Sequence, residues 1–313
     1  MKGFVRMPDI ALILRRARPD DRAAMERICA HTWDDGDYIP YVWDRWLADG
    51  QGPLVVGELA GQVVALCKIS FQAAGQVWLQ GMRVDPDHRR RGIGQRFLDY
   101  SLAYAQEHGA RVARLSTSIR NTPVHMMTAR AGMERIAVFV FWQAEALAEG
   151  PQLRVLSPGD QPAVEAFLRT SQVLEACRGI YQSNWENLEL TSNRLPPLLQ
   201  GGCVVALGEP GMPPAALALL TEDQEDKALD VGFADGDPAL VQQLAMALRV
   251  YVSCRGAIRA RAWLPEVVWL REAFSAAGYA FGDWQGEMCL YERRFPHPNP
   301  LAGQGGKEEN RAG

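Results

Sequence analysis

The amino-acid sequence predicts an α/β fold written twice in tandem, the second copy degenerate. Two observations carry this. Between Trp78 and Met133, apolar β-type segments alternate with amphipathic helical ones in the order strand, glycine loop, helix, strand, helix, glycine. The opening pattern then recurs: Leu14-Arg15-Arg16-Ala17-Arg18-Pro19-Asp20-Asp21 returns as Leu153-Arg154-Val155-Leu156-Ser157-Pro158-Gly159-Asp160, with Leu, Arg, Pro and Asp in register. A chain of 313 residues has room for two such domains.

Each opening strand and turn leads into an amphipathic run, Ala23 to Cys29 and Ala163 to Leu168. Leu54-Val55-Val56-Gly57-Glu58 reads as a strand and is echoed by Val204-Val205-Ala206-Leu207-Gly208-Glu209. Trp78 to Val84 is an apolar strand stopped by the turn at Pro86. Phe97, Leu98, Ser101, Leu102 and Ala105 then fall on one stripe at helical spacing, so a helix runs from about Gly94. Val112 to Leu115 is the next strand and Asn121 to Arg130 the next helix. Met127 to Met133 is echoed by Leu270 to Tyr279, each ending in Ala-Gly-apolar. The boundary near Glu149-Gly150-Pro151 divides a domain 1–150 from a domain 151–295. From Pro296 the sequence holds nothing apolar to bury, and 296–313 is expected to be a disordered tail.

Composition narrows the function. A net charge of -4 excludes a general nucleic-acid binder, so three adjacent arginines at 89–91 read as a local anion site. The cysteines at 29, 67, 177, 203, 254 and 289 show no C-x-x-C pair and no zinc-spaced histidines. They are expected to be small buried hydrophobes in a reducing compartment, and no metal is expected. With no secretory h-region and no apolar run of membrane length, the expected location is the cytoplasm, without a membrane partner.

The segment Arg89-Arg90-Arg91-Gly92-Ile93-Gly94-Gln95 follows an apolar strand and opens a helix. Two residues without Cβ let successive backbone N–H groups close around an anion, and the helix adds its dipole and unpaired N–H groups. The turn is suited to a pyrophosphate. A Walker loop is excluded by Gln95-Arg96 in place of Lys-Ser/Thr, a dinucleotide fingerprint by the missing third glycine, and a kinase loop by the missing later motifs. The pattern Arg/Gln-x-x-Gly-x-Gly after a strand resembles the acyl-coenzyme A loop of the Gcn5-related N-acetyltransferases (GNAT). This resemblance implies two tandem GNAT folds, each a central mixed, mostly antiparallel twisted sheet flanked by helices. It implies acetyl-CoA as acyl donor, held by Met82, Arg83, Val84, Arg89, Arg90, Arg91, Gly92, Ile93, Gly94, Gln95 and Asn121. The second copy reads Ala234-Asp235-Gly236-Asp237-Pro238 at the loop, and its two carboxylates would repel a diphosphate.

Acetyl transfer needs a base for the amine and a proton for the departing thiol. Base candidates are Asp34, Asp35, Asp37 and Glu58. Gln80 can orient a substrate but cannot act as a base. The family's acidic Tyr position falls on Thr128, so that role does not carry over, and Ser116, Thr117, Ser118 or water are alternatives. Asn121 reads equally as a helix cap. Asp37-Tyr38-Ile39-Pro40, Trp46-Leu47, Leu79-Gln80-Gly81-Met82-Arg83-Val84 and Val112-Ala113-Arg114-Leu115 resemble the histidine N-acetyltransferase group. That implies a small-molecule amine, a free amino acid being one candidate, with Asp37, Tyr38, Trp46 and Arg83 around it. Arg83 would hold a carboxylate or else pair with Asp85 or Asp87, and Trp43 and Trp46 are core or pocket wall. The alternatives are a non-catalytic acetyl-CoA sensor or scaffold, and a protein or aminoglycoside N-acetyltransferase. The expected assembly is a monomer with an internal pseudo-dimer, or a homodimer.

Overall fold

The computed structural model describes residues 11–30, 32, 36–209, 211–223, 227–282 and 286–296. In the first repeat the elements are β1 (Ile13–Arg16), α1 (Arg22–Cys29), α2 (Ile39–Ala48), β2 (Leu54–Leu59), β3 (Gln62–Gln72), β4 (Gln76–Val84), α3 (Ile93–Glu107), β5 (Val112–Ser118), α4 (Thr122–Arg130) and β6 (Glu134–Glu145). The second repeat has β7 (Arg154–Val155), α5 (Gln161–Arg169), α6 (Gln172–Ala176), β8 (Ile180–Ser183), β9 (Glu186–Glu189), α7 (Leu195–Gln200), β10 (Val204–Leu207), β11 (Ala216–Asp223), β12 (Ala228–Gly236), α8 (Pro238–Cys254), β13 (Arg259–Pro265), α9 (Val268–Ala276), β14 (Ala280–Phe281) and β15 (Glu287–Arg294). The repeated segments recognised in sequence occupy equivalent elements: β1 with β7, α1 with α5, β2 with β10, α4 with α9. Each repeat is a mixed, mostly antiparallel sheet with helices packed on it.

Contacts divide the chain into two compact units. Of the described residues, one unit comprises those up to Leu115, Pro123–Glu134 and those from Glu292; the other comprises those in Ser116–Thr122 and Arg135–Tyr291. In the first, β1, β2, β3 and β4 are antiparallel neighbours, and β5 joins β4 in parallel. Side-chain alternation along β2 splits its two faces. Leu54 and Val56 join Met25, Ile28, Ile39, Trp43 and Trp46 in a core under α1 and α2. On the opposite face a Cβ on Gly57 would stand 2.6 Å from the ring of Phe97 on α3, so glycine permits the close approach of helix and sheet. α3 buries Ile93, Phe97, Leu98, Ser101, Leu102 and Ala105, the stripe expected from its spacing.

The other unit orders its strands β7, β10, β11, β12, β13, with β12 and β13 parallel. Beside β13 lies β6, antiparallel over Phe139–Glu145. The strand that closes the first repeat in sequence is thus counted with the second unit, while the end of β15 is counted with the first. The hairpin β8–β9 and the helices α6 and α7 have no counterpart in the sequence reading.

Of the six free thiols, Cys29, Cys67, Cys177 and Cys289 are buried, Cys203 is half-buried and Cys254 is exposed, which corrects the expectation for the last two. Burial pushes the Cys29 thiol up to about 12, with the Asp37 charge acting in the same direction, so it is an inert core thiol. Among the described residues no group of side chains could hold a metal, and no helix is long and apolar enough to cross a membrane. The expected disordered tail, from 297 on, lies outside the described residues.

Candidate acyl-donor and acceptor site

The strand β4 shapes the site. Its parallel pairing with β5 runs through Gln76–Val112, Val77–Ala113 and Trp78–Arg114 and ends there. From Leu79 to Val84 that edge of β4 has no partner in β5. The opposite edge carries a bulge: the register with β3 shifts so that Cys67 faces both Gly81 and Met82. Gly81 sits at φ +65°, and a Cβ there would lie 2.7 Å from the indole of Trp46. The bulge re-aims the strand. Gly81 and Arg83 face α2, while Met82 faces the start of α3.

Beyond Val84 the chain makes a short turn at Pro86–His88, in which Asp85 accepts the Asp87 N–H at 3.0 Å. The arginine loop follows. Arg90 and Gly92 both take left-handed conformations, φ +60° and +75°, and α3 starts at Ile93. Gly92 is the N-cap and no side chain covers the helix end. Left-handed and right-handed residues in succession, as at Gly92-Ile93, point their N–H groups into one concavity, a nest for an anion. A Cβ on Gly92 would meet nothing within 4 Å. Gly94 has a different reason: a Cβ there would lie 2.9 Å from the Met127 sulfur on α4. Glycine at this position thus lets the Met127 side chain come close to α3. Arg89 Nε donates to the Val84 carbonyl at 3.2 Å and Arg91 Nη2 to the Asp87 carbonyl at 3.1 Å, both arginines being exposed. Gln95 Nε2 donates to Asp99 at 2.9 Å, and its Oε1 is buried without a partner among the described residues.

On the α2 side, the structure joins two residues that sequence reasoning placed around the acceptor. Arg83 Nε and Nη2 donate to the two oxygens of Asp37 at 2.7 and 3.2 Å, and the Asp37 side chain is fully buried. Asp37 also accepts the Ile39 N–H at the start of α2. Neither alternative named for Arg83, Asp85 or Asp87, is its partner here, and Asp37 is not a free base. The Arg83 guanidinium lies 5.6 Å from the ring centre of Tyr38, whose edge meets Trp46 at 5.9 Å. Tyr38 remains 45% exposed, whereas Trp43 and Trp46 are core. Trp46 covers the bulge rather than lining an open pocket.

The other catalytic candidates are committed elsewhere. Glu58 binds Arg15 Nε at 2.9 Å at the far strands of the sheet. Gln80 donates to Ser70 at 3.1 Å. Thr128 is fully buried and its hydroxyl donates to the His125 carbonyl at 3.0 Å, a bond within its own helix. Asn121 donates to Thr117 at 2.9 Å. Asp34 and Asp35 lie outside the described residues. The Asp37–Arg83 pair and the Met127–Gly94 contact escaped sequence reasoning, since their members lie far apart in the chain and no local pattern links them.

The second repeat treats the equivalent turn differently. Asp237 is the N-cap of α8 and accepts the Ala239 N–H at 3.0 Å, and Pro238 supplies no N–H at all. Asp235 is buried, bonded to the Ser171 hydroxyl and to the Gly236 N–H.

Residues 17–133 match the family described as Acetyltransferase (GNAT) family. The chain is 31% identical over 118 residues to the human protein described as "Probable N-acetyltransferase 16"; the match covers 36% of this chain and 32% of that protein. Among solved structures, a GCN5-related N-acetyltransferase from Sphaerobacter thermophilus aligns with a TM-score of 0.65 at 16% identity, over 92% of this chain and 96% of that one. A tandem GNAT protein from the clavulanic acid biosynthesis pathway aligns with a TM-score of 0.53 at 13% identity, over 91% and 98%. At these identities the structural matches speak for the fold.

Proposed function

We propose that this chain is an acetyl-CoA-dependent N-acetyltransferase whose first repeat moves the acetyl group to the amine of a small molecule, free amino acids being the first class to test. The observation that carries the reading is the N-terminus of α3, which has no side-chain cap, beside the stretch of β4 that runs on past its pairing with β5, within the segment that matches the family. The N–H groups from Gly92 onward suit the donor's diphosphate, with Arg89, Arg90 and Arg91 adding positive charge. The β4 edge from Leu79 to Val84 suits an added strand-like arm, and its amides near the bulge would stabilise negative charge on the thioester oxygen. Tyr38 and Arg83, on the α2 face of the same strand, are assigned to the acceptor. The amine gives up its proton and the coenzyme thiolate takes one. With Asp37, Glu58 and Thr128 committed to partners, we assign both transfers to water.

The commitment of Thr128 also favours a second reading, an acetyl-CoA sensor without turnover. Calorimetry with acetyl-CoA on the full chain, followed by thiol release against a panel of amines led by histidine, separates the two. Heat with turnover supports the enzyme and heat alone the sensor. No heat ends both.

A further inference from the structure

The end of β15 belongs to the unit that carries the arginine loop, although it closes the described sequence. Glu292 and Arg114 are each 2% exposed. Arg114 Nε and Nη2 both reach Glu292 Oε2 at 2.7 Å, and Nη1 donates to Gln76 Oε1 at 2.9 Å. Arg294 Nε donates to the other Glu292 oxygen at 2.8 Å. Next to them, Arg293 Nη1 donates to the Ala131 carbonyl at 2.8 Å and the Phe295 N–H to the Arg111 carbonyl at 2.9 Å.

Every anchor leads to the donor site. Gln76 begins β4, the strand of Met82 to Val84. Arg114 stands opposite Trp78, the last rung before the β4 edge opens. Ala131 follows α4, whose Met127 seats Gly94. The first repeat's own closing strand, β6, pairs with β13 and supplies none of these contacts. Removing the carboxylate would take from a buried guanidinium the charged partner that stands 2.7 Å from two of its nitrogens.

We propose that Glu292 is a positioning residue for acetyl-CoA binding, acting through Arg114 on the β4–β5 rung where the donor edge opens. The second repeat thereby contributes the strand that sets the geometry of the first repeat's site. This rests on the donor reading above.

The test uses the full chain as wild type, Glu292→Ala, Glu292→Gln and the double variant Arg114→Met with Glu292→Leu, measuring melting, acetyl-CoA affinity by calorimetry and the two Michaelis constants. Glu292→Ala is expected to weaken acetyl-CoA about tenfold while folded at the assay temperature, with Glu292→Gln in between. The acetyl-CoA Michaelis constant should rise and the acceptor's hold. The double variant, which fills the rung with apolar side chains, should recover affinity to within about threefold. Wild-type affinity in folded Glu292→Ala overturns the inference, as does a double variant that melts like wild type yet binds as poorly as Glu292→Ala. Should Glu292→Ala fail to fold, unchanged affinity in Glu292→Gln overturns it. No heat with the wild type would overturn the donor reading and this inference with it; heat with the wild type and unchanged variants overturns the inference alone.

Discussion

At the turn into α3, Gly92 stands at φ +75° with no side chain over the first N–H groups of the helix. At the turn into α8, Asp237 folds its carboxylate onto the Ala239 N–H, and Pro238 removes a donor. Both helices follow the fourth principal strand of their repeat, and both strands carry a glycine bulge. A Cβ at Gly81 would strike Trp46, and a Cβ at Gly232 would strike the Gln182 carbonyl. The scaffold is preserved down to its bulge, whereas the helix start left without a side-chain cap in the first repeat carries an internal cap in the second. Fold and helix start are therefore separable: packing keeps the one, while Asp237 and Pro238 together change the other.

The comparison predicts that the first turn can be converted into the second. Gly92→Asp would place a carboxylate over the open N–H groups, in a left-handed conformation that Asp tolerates better than most residues. Acetyl-CoA affinity should fall about a hundredfold, about 2.7 kcal/mol, with little change in melting. Gly92→Asn, the same shape without charge, should lose about tenfold or less. Equal losses in the two variants, read by calorimetry, would make shape rather than charge the cause and break the comparison.

The bulge gives the next effect. Gly81→Ala adds a Cβ 2.7 Å from the Trp46 indole at a positive φ, and should destabilise the chain by about 2 kcal/mol in urea melts. Pairing it with Trp46→Leu should relieve only the steric part. If Gly81→Ala melts like wild type, the bulge is not held by this contact.

Much of this was legible in sequence, because it was local. The loop at 89–95, the stripe of α3 and the Pro-x-Asp openings each lie within a few residues, where spacing maps onto geometry. The repeat was legible because it preserves those local patterns. What failed was non-local. Arg83 and Asp37 lie on a strand and a distant loop, and neither residue carries a mark naming its partner. Thr128 falls at the position of the family's Tyr, and no sequence pattern shows that its hydroxyl donates to the His125 carbonyl within its own helix. The contact between Gly94 and Met127 joins α3 to α4 and carries no local sequence mark either.

The second turn should resist conversion in the opposite direction. Asp237→Ala removes the cap of α8 and should cost about 1 kcal/mol. It should create no second donor site, since Pro238 still lacks an N–H and Asp235 stays in place. Calorimetric stoichiometry should remain one acetyl-CoA per chain; a value of two would show the second repeat closed by the Asp237 carboxylate alone.

The smallest effect tests what the repeats share. Asp21 accepts the Arg18 N–H at 2.7 Å and both Arg15 terminal nitrogens at 2.8 and 2.9 Å. Asp160 repeats the arrangement, accepting the Ser157 N–H at 2.8 Å with Arg154 farther off at 3.4 Å. The Arg15 hydrogen bonds, helped by the Arg18 N–H, hold Asp21 below its ordinary 3.8; for Asp160 the backbone bond from Ser157 leads. A carboxyl lowered on folding contributes stability that is complete above its unfolded value and is lost as pH falls through the folded one. Asp21→Asn should therefore cost about 1–2 kcal/mol at pH 7, and the gap to wild type should close as the pH drops below about 4. Asp160→Asn should follow the same course with a smaller gap, its guanidinium being more distant and its side chain more exposed. A gap for Asp21→Asn that stays constant from pH 7 to pH 3 would mean that the lost hydrogen-bond geometry, and not the charge, is what both repeats retain at their first turn.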